Sequence, residues 1–336
     1  MGTTKQTLAS VVSRAFGPEG LVGVVRHSNL SSIRLGAGGS CTTLAHVRCP
    51  HAAVDLVELG SAMLFEGTMP ADFYSITAVT RCPAPGHSFN FSSGFVDGFI
   101  GFYPPGGQVA AMIPKGYANA TLTVPRDRFL RAVGSFCPEI PDPVLRRGAG
   151  IKVPAAEFAA IRGLVAAIRA AIDDPDQPLA GTLAAEHLEV DLLAAFLTAL
   201  QEGLAQPPDV RLGKRYQLLA RARDLLDDHP SEPFPLARLC AELGLGRRSL
   251  EYLFNDLLGI GPADYLRRRR LHKVRAALLC AEPERGVIKR LALEWGFWHF
   301  GHFNSHYRAL FGETPTCTLG RGSGRRRRGG VSWPSG

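Results

Sequence analysis

The 336-residue chain is 46% hydrophobic and 20% charged, a composition that can bury the cores of two domains and a connector. No stretch approaches about 18 uninterrupted apolar residues, so no membrane span is expected, and the N-terminal sequence lacks the apolar core and cleavage site of a secretion signal. The net charge of +8 is uneven: residues 1–206 hold 15 basic and 17 acidic side chains, residues 207–321 hold 19 and 13, and four arginines follow. This fits a basic back part that meets a polyanion or presents a solvated face, and charge alone does not decide between them.

To about residue 135 the sequence reads as mostly β. Short apolar runs (LVGVV, VDLVELG, FYSITAVT, VAAMIP, ANATLTVP) are broken by Gly and Pro, which fits a small barrel or sandwich. This makes residues 1–136 a β-rich domain. The Pro/Gly-rich run CPEIPDPVLRRGAG (137–150) is expected to be a linker. Two amphipathic helices follow, over 155–172 (Phe158, Ile161, Leu164, Val165, Ile168, Ile172) and roughly 182–204 (Leu188, Leu192, Ala195, Phe196, Leu200). Their stripes pack on the same chain or form the seam of a homodimer, so residues 137–206 are a connector with a dimerisation option. Pro207-Pro208 marks a boundary, the sequence is helical from there to about 320, and residues 322–336 are expected to be a disordered basic tail. The fold class is thus α+β: a β-rich front, a helical linker and an all-α back domain.

The helical region repeats itself. Gly244 matches Gly296 at an offset of 52; Leu250/Phe303, Phe254/Tyr307, Leu258/Phe311, Gly259/Gly312 and Pro262/Pro315 match at 53. One extra residue therefore sits in the second turn, where a duplicated fold tolerates it. In each copy a short helix (Leu236–Leu243, or Val287–Trp295) stops at a glycine suited to the left-handed conformation. A second helix then carries apolar residues at i, i+3, i+4 and i+7: Leu250, Leu253, Phe254 and Leu257, or Phe300, Phe303, Tyr307 and Leu310/Phe311. The two helix-turn-helix units span 236–258 and 288–311. Opposite each stripe lie polar side chains suited to base edges or phosphates in a major groove. The DNA-contact set is Arg247, Arg248, Ser249, Glu251, Tyr252 and Asn255 in the first copy, and His299, Gly301, His302, Asn304, Ser305 and Arg308 in the second. A helix from Pro262 to about Cys280 joins the copies and spans roughly 27 Å, comparable to the roughly 34 Å between major grooves on one face of DNA. Arg267–Arg270 lie around its circumference, so one or two face inward or form ion pairs.

The segment from about Tyr216 to Leu319, including GFWHFGHFNSHYRALFGETP at 296–315, resembles the AraC/XylS-type DNA-binding domain. The resemblance implies a seven-helix, two-lobed module that binds promoter DNA and usually activates transcription with RNA polymerase. By position, the family's base contacts fall on Arg248, Glu251, Tyr252, Gly301, His302, Asn304 and Ser305. Gly301 offers no side chain, and Glu251 would repel phosphate. FYPPGGQVAAMIPKGYANATLTVP (102–125) resembles the cupin-like sensor domain of ethanolamine-operon-type regulators, which implies a small-molecule effector of unstated identity.

Other chemistries are weaker. His46, Cys49 and His51 lie close together but lack cupin metal spacing, and His302 and His306 share a helix face at i and i+4 without further ligands. Neither is assigned a metal, and no cofactor is expected. Seven cysteines (41, 49, 82, 137, 240, 280, 317) without paired spacing read as reduced thiols of a cytoplasmic protein, not as a zinc site of the kind that accompanies alkyl-accepting repair cysteines. No G-x-S-x-G elbow supports a hydrolase. The chain is therefore read as a non-enzyme.

Overall fold

A computed structural model describes residues 9–15, 28–36, 42–84, 86–91, 93–173, 185–205, 213–227 and 236–327. The LVGVV run, Cys41, the Pro207-Pro208 boundary and the last nine residues of the expected tail lie outside these. The chain divides into two compact units, Met1–Ser32 with Ser40–Lys214, and Ile33–Gly39 with Arg215–Gly336.

The strands of the first unit are β1 (Ala9–Ala15), β2 (Asn29–Arg34), β3 (Thr42–Arg48), β4 (Ala53–Glu58), β5 (Met63–Thr68), β6 (Phe73–Arg81), β7 (Gly86–Ser88), β8 (Ser93–Phe95), β9 (Phe99–Tyr103), β10 (Gln108–Ile113), β11 (Ala118–Pro125) and β12 (Ala149–Lys152). Its helices are α1 (Arg126–Phe136), α2 (Asp142–Arg147), α3 (Ala155–Asp173) and α4 (Ala185–Leu204). The strands form a seven-stranded sheet in the order β1-β3-β4-β11-β6-β9-β12 and a five-stranded sheet in the order β2-β5-β10-β7-β8.

Period-2 alternation assigns each face of the larger sheet. Ala120, Leu122 and Val124 of β11, Ile76 and Ala78 of β6, and Ile100 and Phe102 of β9 join one core with Phe129 of α1, Ile161 of α3 and Phe196 of α4. The intervening residues face the smaller sheet, where Val57, Val79 and Phe99 pack with Phe65, Ala111 and Ile113. The stripes of α3 and α4 are thus spent on their own sheet. The run at 137–150 is not a linker: it contains α2 and the start of β12, whose Ala149–Lys152 pair with Phe102–Phe99 of β9.

The second unit contains α5 (Gly213–Asp227), α6 (Leu236–Leu243), α7 (Arg247–Leu258), α8 (Pro262–Cys280), α9 (Val287–Glu294), α10 (Phe300–Phe311) and α11 (Pro315–Arg327). Around α7, Leu250, Leu253, Phe254 and Leu257 are buried, with Phe254 edge-on to Tyr265 at 5.6 Å. Leu271, Val274, Leu291, Phe303, Tyr307, Leu310 and Phe311 form a second core around α10. α11 continues to Arg327, so residues 322–327 of the expected disordered tail are helical backbone. The reason lies at its start: buried Leu319 packs into the second core and Thr318 accepts a hydrogen bond from Tyr307 Oη at 2.8 Å.

Candidate nucleic-acid interface

The two copies close their first helices in the same way. Gly244 and Gly296 take φ of 64° and 78°. Leu245 N–H donates to Cys240 O and Phe297 N–H to Ala292 O, each at 2.9 Å, while Gly244 N–H and Gly296 N–H donate to Ala241 O and Leu293 O. This is one Schellman closure made twice. The second helices also end alike, on Gly259 and Gly312 at φ of 68° and 73°, whose N–H groups reach Asn255 O and Arg308 O. The duplication read from the sequence is therefore a duplication of backbone geometry.

α7 and α10 start on Gly246 and His299, and neither makes a side-chain capping bond. Their first N–H groups point along the helix axis with the positive end of the dipole, a geometry suited to phosphate. Arg247, Arg248, Ser249, Tyr252 and Asn255 are exposed on α7. Arg248 Nε and Nη2 donate to Tyr252 Oη at 3.3 and 3.1 Å, and the guanidinium carbon lies 5.5 Å from the ring centroid. Asn255 Nδ2 donates to Glu251 O at 2.9 Å. Glu251 is half-buried, and a Cβ added at Gly261 would lie 3.0 Å from its Oε2. Its carboxylate thus leans toward the turn before α8 and away from the face shared by Arg248 and Tyr252.

On α10, Gly301, His302, Asn304, Ser305 and Arg308 are exposed, as is His299 before it. Asn304, Ser305 and Arg308 line one wall of an open cleft completed by Ala309 and by Thr314, Pro315 and Thr316 at the start of α11. His299 and His302 cross edge-on at 6.2 Å, and His302 stacks toward His306 at 6.2 Å. His306 is held below its ordinary value of 6.5 by burial first, then by the charges of Arg267 and His302.

Phe300 departs from the expected stripe. It is 38% exposed: it is the first residue of α10, and its ring leans on Phe303 at 5.5 Å between centroids. Trp298 is 73% exposed in the turn before the helix. Its signal in the sequence is a large aromatic residue off the helical stripe, in the turn just before α10.

All four arginines of the α8 run are half-buried. Arg267 pairs with Asp264, and Arg269 sits 5.8 Å over the Tyr265 ring, its pKa pushed down to about 10 by burial first. Arg268 and Arg270 are lowered by burial as well. The run is thus spent largely on the unit's own packing. Deeper in α8, buried Arg275 donates from Nη1 to Glu313 Oε1 at 2.6 Å and lies 4.5 Å over the Phe311 ring. Thr318 Oγ1 also donates to Glu313 Oε1 at 2.6 Å, so one carboxylate fixes α8 and α11 beside α10.

Of the possible metal ligands, His46 is paired, its Nδ1 2.7 Å from Asp55 Oδ1, and burial pushes the Cys49 thiol up to about 12, while His51 is held by its backbone N–H, which donates to Glu189 Oε2 at 2.8 Å. Among the described residues no group of three or more His, Cys, Asp or Glu is arranged to hold a metal ion, and no helix is long and apolar enough to cross a membrane.

Residues 239–321 match the model of a helix-turn-helix domain family. The XylDLEGF operon transcriptional activator 2 of Pseudomonas putida is 32% identical over 139 residues, 41% of this chain and 86% of that protein. The chain belongs to the AraC/XylS family of transcription regulators. Another AraC/XylS relative, XylDLEGF operon transcriptional activator 3 of Pseudomonas putida, is 39% identical over 104 residues, 30% of each chain. A transcriptional regulator with an AraC-type DNA-binding domain from Chromobacterium violaceum is 30% identical and covers 34% of this chain and 96% of its own, with a TM-score of 0.30. The AraC-like transcriptional activator CuxR is 14% identical over 79% of this chain and 94% of its own, with a TM-score of 0.41. The chain spans less than half the length of the first curated relatives it matches, 47% and 30%.

Proposed function

We propose that this AraC/XylS protein is a sequence-specific activator that reads a bipartite site in double-stranded promoter DNA through α7 and α10. The observation that carries this reading is the twofold repetition of one backbone geometry, each time followed by an uncapped helix with a polar outer face. Arg248, steadied by Tyr252, is assigned to a guanine in one half-site, and Asn304 to an adenine in the other, the pairings their bidentate geometry favours. Arg247, Ser249, Asn255, His299, His302, Ser305 and Arg308 hold phosphates or neighbouring bases, while Gly301 allows close approach of backbone to DNA. Trp298 presses on a sugar or a thymine methyl beside the second half-site. Glu251 is set apart from this surface by its lean toward Gly261.

The relatives named as operon activators support the positive sign of regulation. RNA polymerase as a further partner and a cytoplasmic location belong to the same proposal. The first unit is read as a sensor for a small-molecule effector, on the strength of its apolar cavity. Neither unit is assigned catalysis. Retention of genomic fragments by the purified protein tests the DNA reading. Retained fragments should share one sequence and outlast random duplexes as salt is raised, because base contacts survive the loss of counterion release. Retention equal to that of random duplex at every salt concentration would contradict it.

A further inference from the structure

The cavity of the first unit lies between its two sheets and has a volume of about 70 Å³, several times the roughly 10–15 Å³ that one water requires. Its wall is mostly aromatic and aliphatic, including Phe65, Val79, Phe95, Phe99, Tyr103 and Tyr117. Among the described residues the wall holds no Arg, Lys, His, Asp or Glu. The two tyrosines remain protonated phenols, since burial raises both.

One polar row crosses this inner face. Strand register aligns His46 with Asp55, Asp55 with Thr121, Thr121 with Thr77, and Thr77 with Gly101. Along it His46 and Asp55 pair at 2.7 Å and the Thr77 and Thr121 hydroxyls at 2.9 Å. Gly101 adds no side chain; a Cβ there would lie 3.0 Å from the Tyr103 ring. Asn119 stands one register step away, opposite Val79, with its side chain beside the Tyr117 hydroxyl. Its amide meets the Tyr117 hydroxyl, while its Oδ1 as placed is buried and takes no hydrogen bond from the described residues. An acceptor on the cavity wall is matched by a ligand donor and left unpaired by an apolar ligand.

Resting on the sensor reading above, we infer that the cavity binds a small uncharged aromatic or alicyclic molecule bearing one hydroxyl or N–H donor, received by Asn119 Oδ1. The ring packs among Phe65, Phe95 and Phe99, and the Thr77–Thr121 pair sets the polar edge of the site. A carboxylate or phosphate is rejected because it would be stripped of water with no cation to meet it. A ring without a donor enters more weakly because it leaves the Asn119 oxygen unsatisfied, the asymmetry by which buried polar groups discriminate between ligands.

Calorimetric titration of the full chain with three matched probes tests this: 4-methylphenol, toluene and 4-methylbenzoate. The inference requires 4-methylphenol to bind at least tenfold more tightly than toluene, and 4-methylbenzoate not to bind. Asn119→Leu should erase the preference for the phenol while keeping the toluene affinity, and Thr121→Val, a milder change in the same wall, should reduce the preference. Ala111→Phe, which fills the cavity from the smaller sheet, should abolish binding of both neutral probes. Binding of 4-methylbenzoate that Ala111→Phe abolishes would overturn the ligand class and leave the sensor reading standing. Equal affinity for phenol and toluene in the unaltered chain would overturn the role of Asn119. No binding of any probe, with Ala111→Phe stabilising the chain, would overturn the inference and the sensor reading together, because the cavity would then be a packing void.

Discussion

Arg248 and Tyr252 stand one helical turn apart on α7 with the guanidinium held against the phenol: Nε and Nη2 donate to Tyr252 Oη at 3.3 and 3.1 Å, and the charge lies 5.5 Å from the ring centroid. Both side chains are exposed, so the contact adds little to folding. Under the proposed function, it limits the rotamers of a long side chain before that chain meets DNA, which lowers the entropy lost on binding. Tyr252→Phe keeps the ring and removes the acceptor, so affinity for the specific site should fall severalfold while affinity for random duplex stays unchanged. Fluorescence anisotropy with both duplexes measures this, and an equal fall on both would assign Tyr252 to the phosphate backbone.

Two glycines surrounded by open space should respond to alanine with opposite sign. Gly163, exposed within α3, and Gly244, at φ of 64°, would each meet nothing within 4 Å. The backbone angle alone decides. Gly163→Ala should stabilise the chain by roughly 0.5–1 kcal/mol through helix propensity. Gly244→Ala should cost about 1 kcal/mol because an L side chain is strained in the left-handed region. Denaturant unfolding followed by circular dichroism compares them, and a shared sign would contradict this account.

Glu313 serves Arg275, Thr318 and Arg321 at once. Glu313→Gln leaves the buried Arg275 without its counter-charge and should destabilise the second unit by about 3 kcal/mol, in the range for breaking one partner of a buried pair. Arg321→Ala removes only the exposed arm and should cost less than about 1 kcal/mol. Thermal unfolding distinguishes them, and equal losses would show that the buried arm has no special weight.

His306 gives the second unit a pH dependence of definite sign. Its folded pKa lies below the ordinary 6.5, so the unfolded chain binds the proton more readily and acid favours unfolding. This contribution makes stability rise with pH across the window that opens below 6.5 and levels off above it. His306→Gln should flatten the slope in that window and leave stability above pH 8 nearly unchanged. A slope unaltered by the substitution would assign it to other groups.

The sequence made the second unit legible because its information is local and repeated. The glycines that close each helix, the stripe from Leu250 to Leu257 and the matching prolines all act within a few residues of one another. The inner and outer faces of β11 were equally open to reading, as Asn119 and Thr121 alternate with Ala120 and Leu122. What escaped depends on distant partners. β12 exists because Ala149–Lys152 meet β9 about 50 residues earlier, a pairing no local Pro/Gly pattern reveals. α11 keeps Gly320, Gly322 and Gly324 in a helix against their propensity, since its first turn is anchored by Leu319 and Thr318. Phe300 has the spacing of a core residue, yet it comes one turn too early to reach the core. The expectation that one or two arginines of α8 face inward or form ion pairs rests on local partners, and Arg267 pairs with Asp264 while Arg269 packs over Tyr265.

Selection of bound sequences from a random pool of duplexes, made with the full protein and with Arg248→Ala and Asn304→Ala, addresses the central claim most directly. The unaltered protein should enrich two short boxes with centres roughly 10 base pairs apart. Each substitution should relax one box and spare the other, at a cost of roughly 1–3 kcal/mol on the affected base. Enrichment of no common sequence, or erosion of the same box by both substitutions, would contradict a chain that reads DNA with two separate helices.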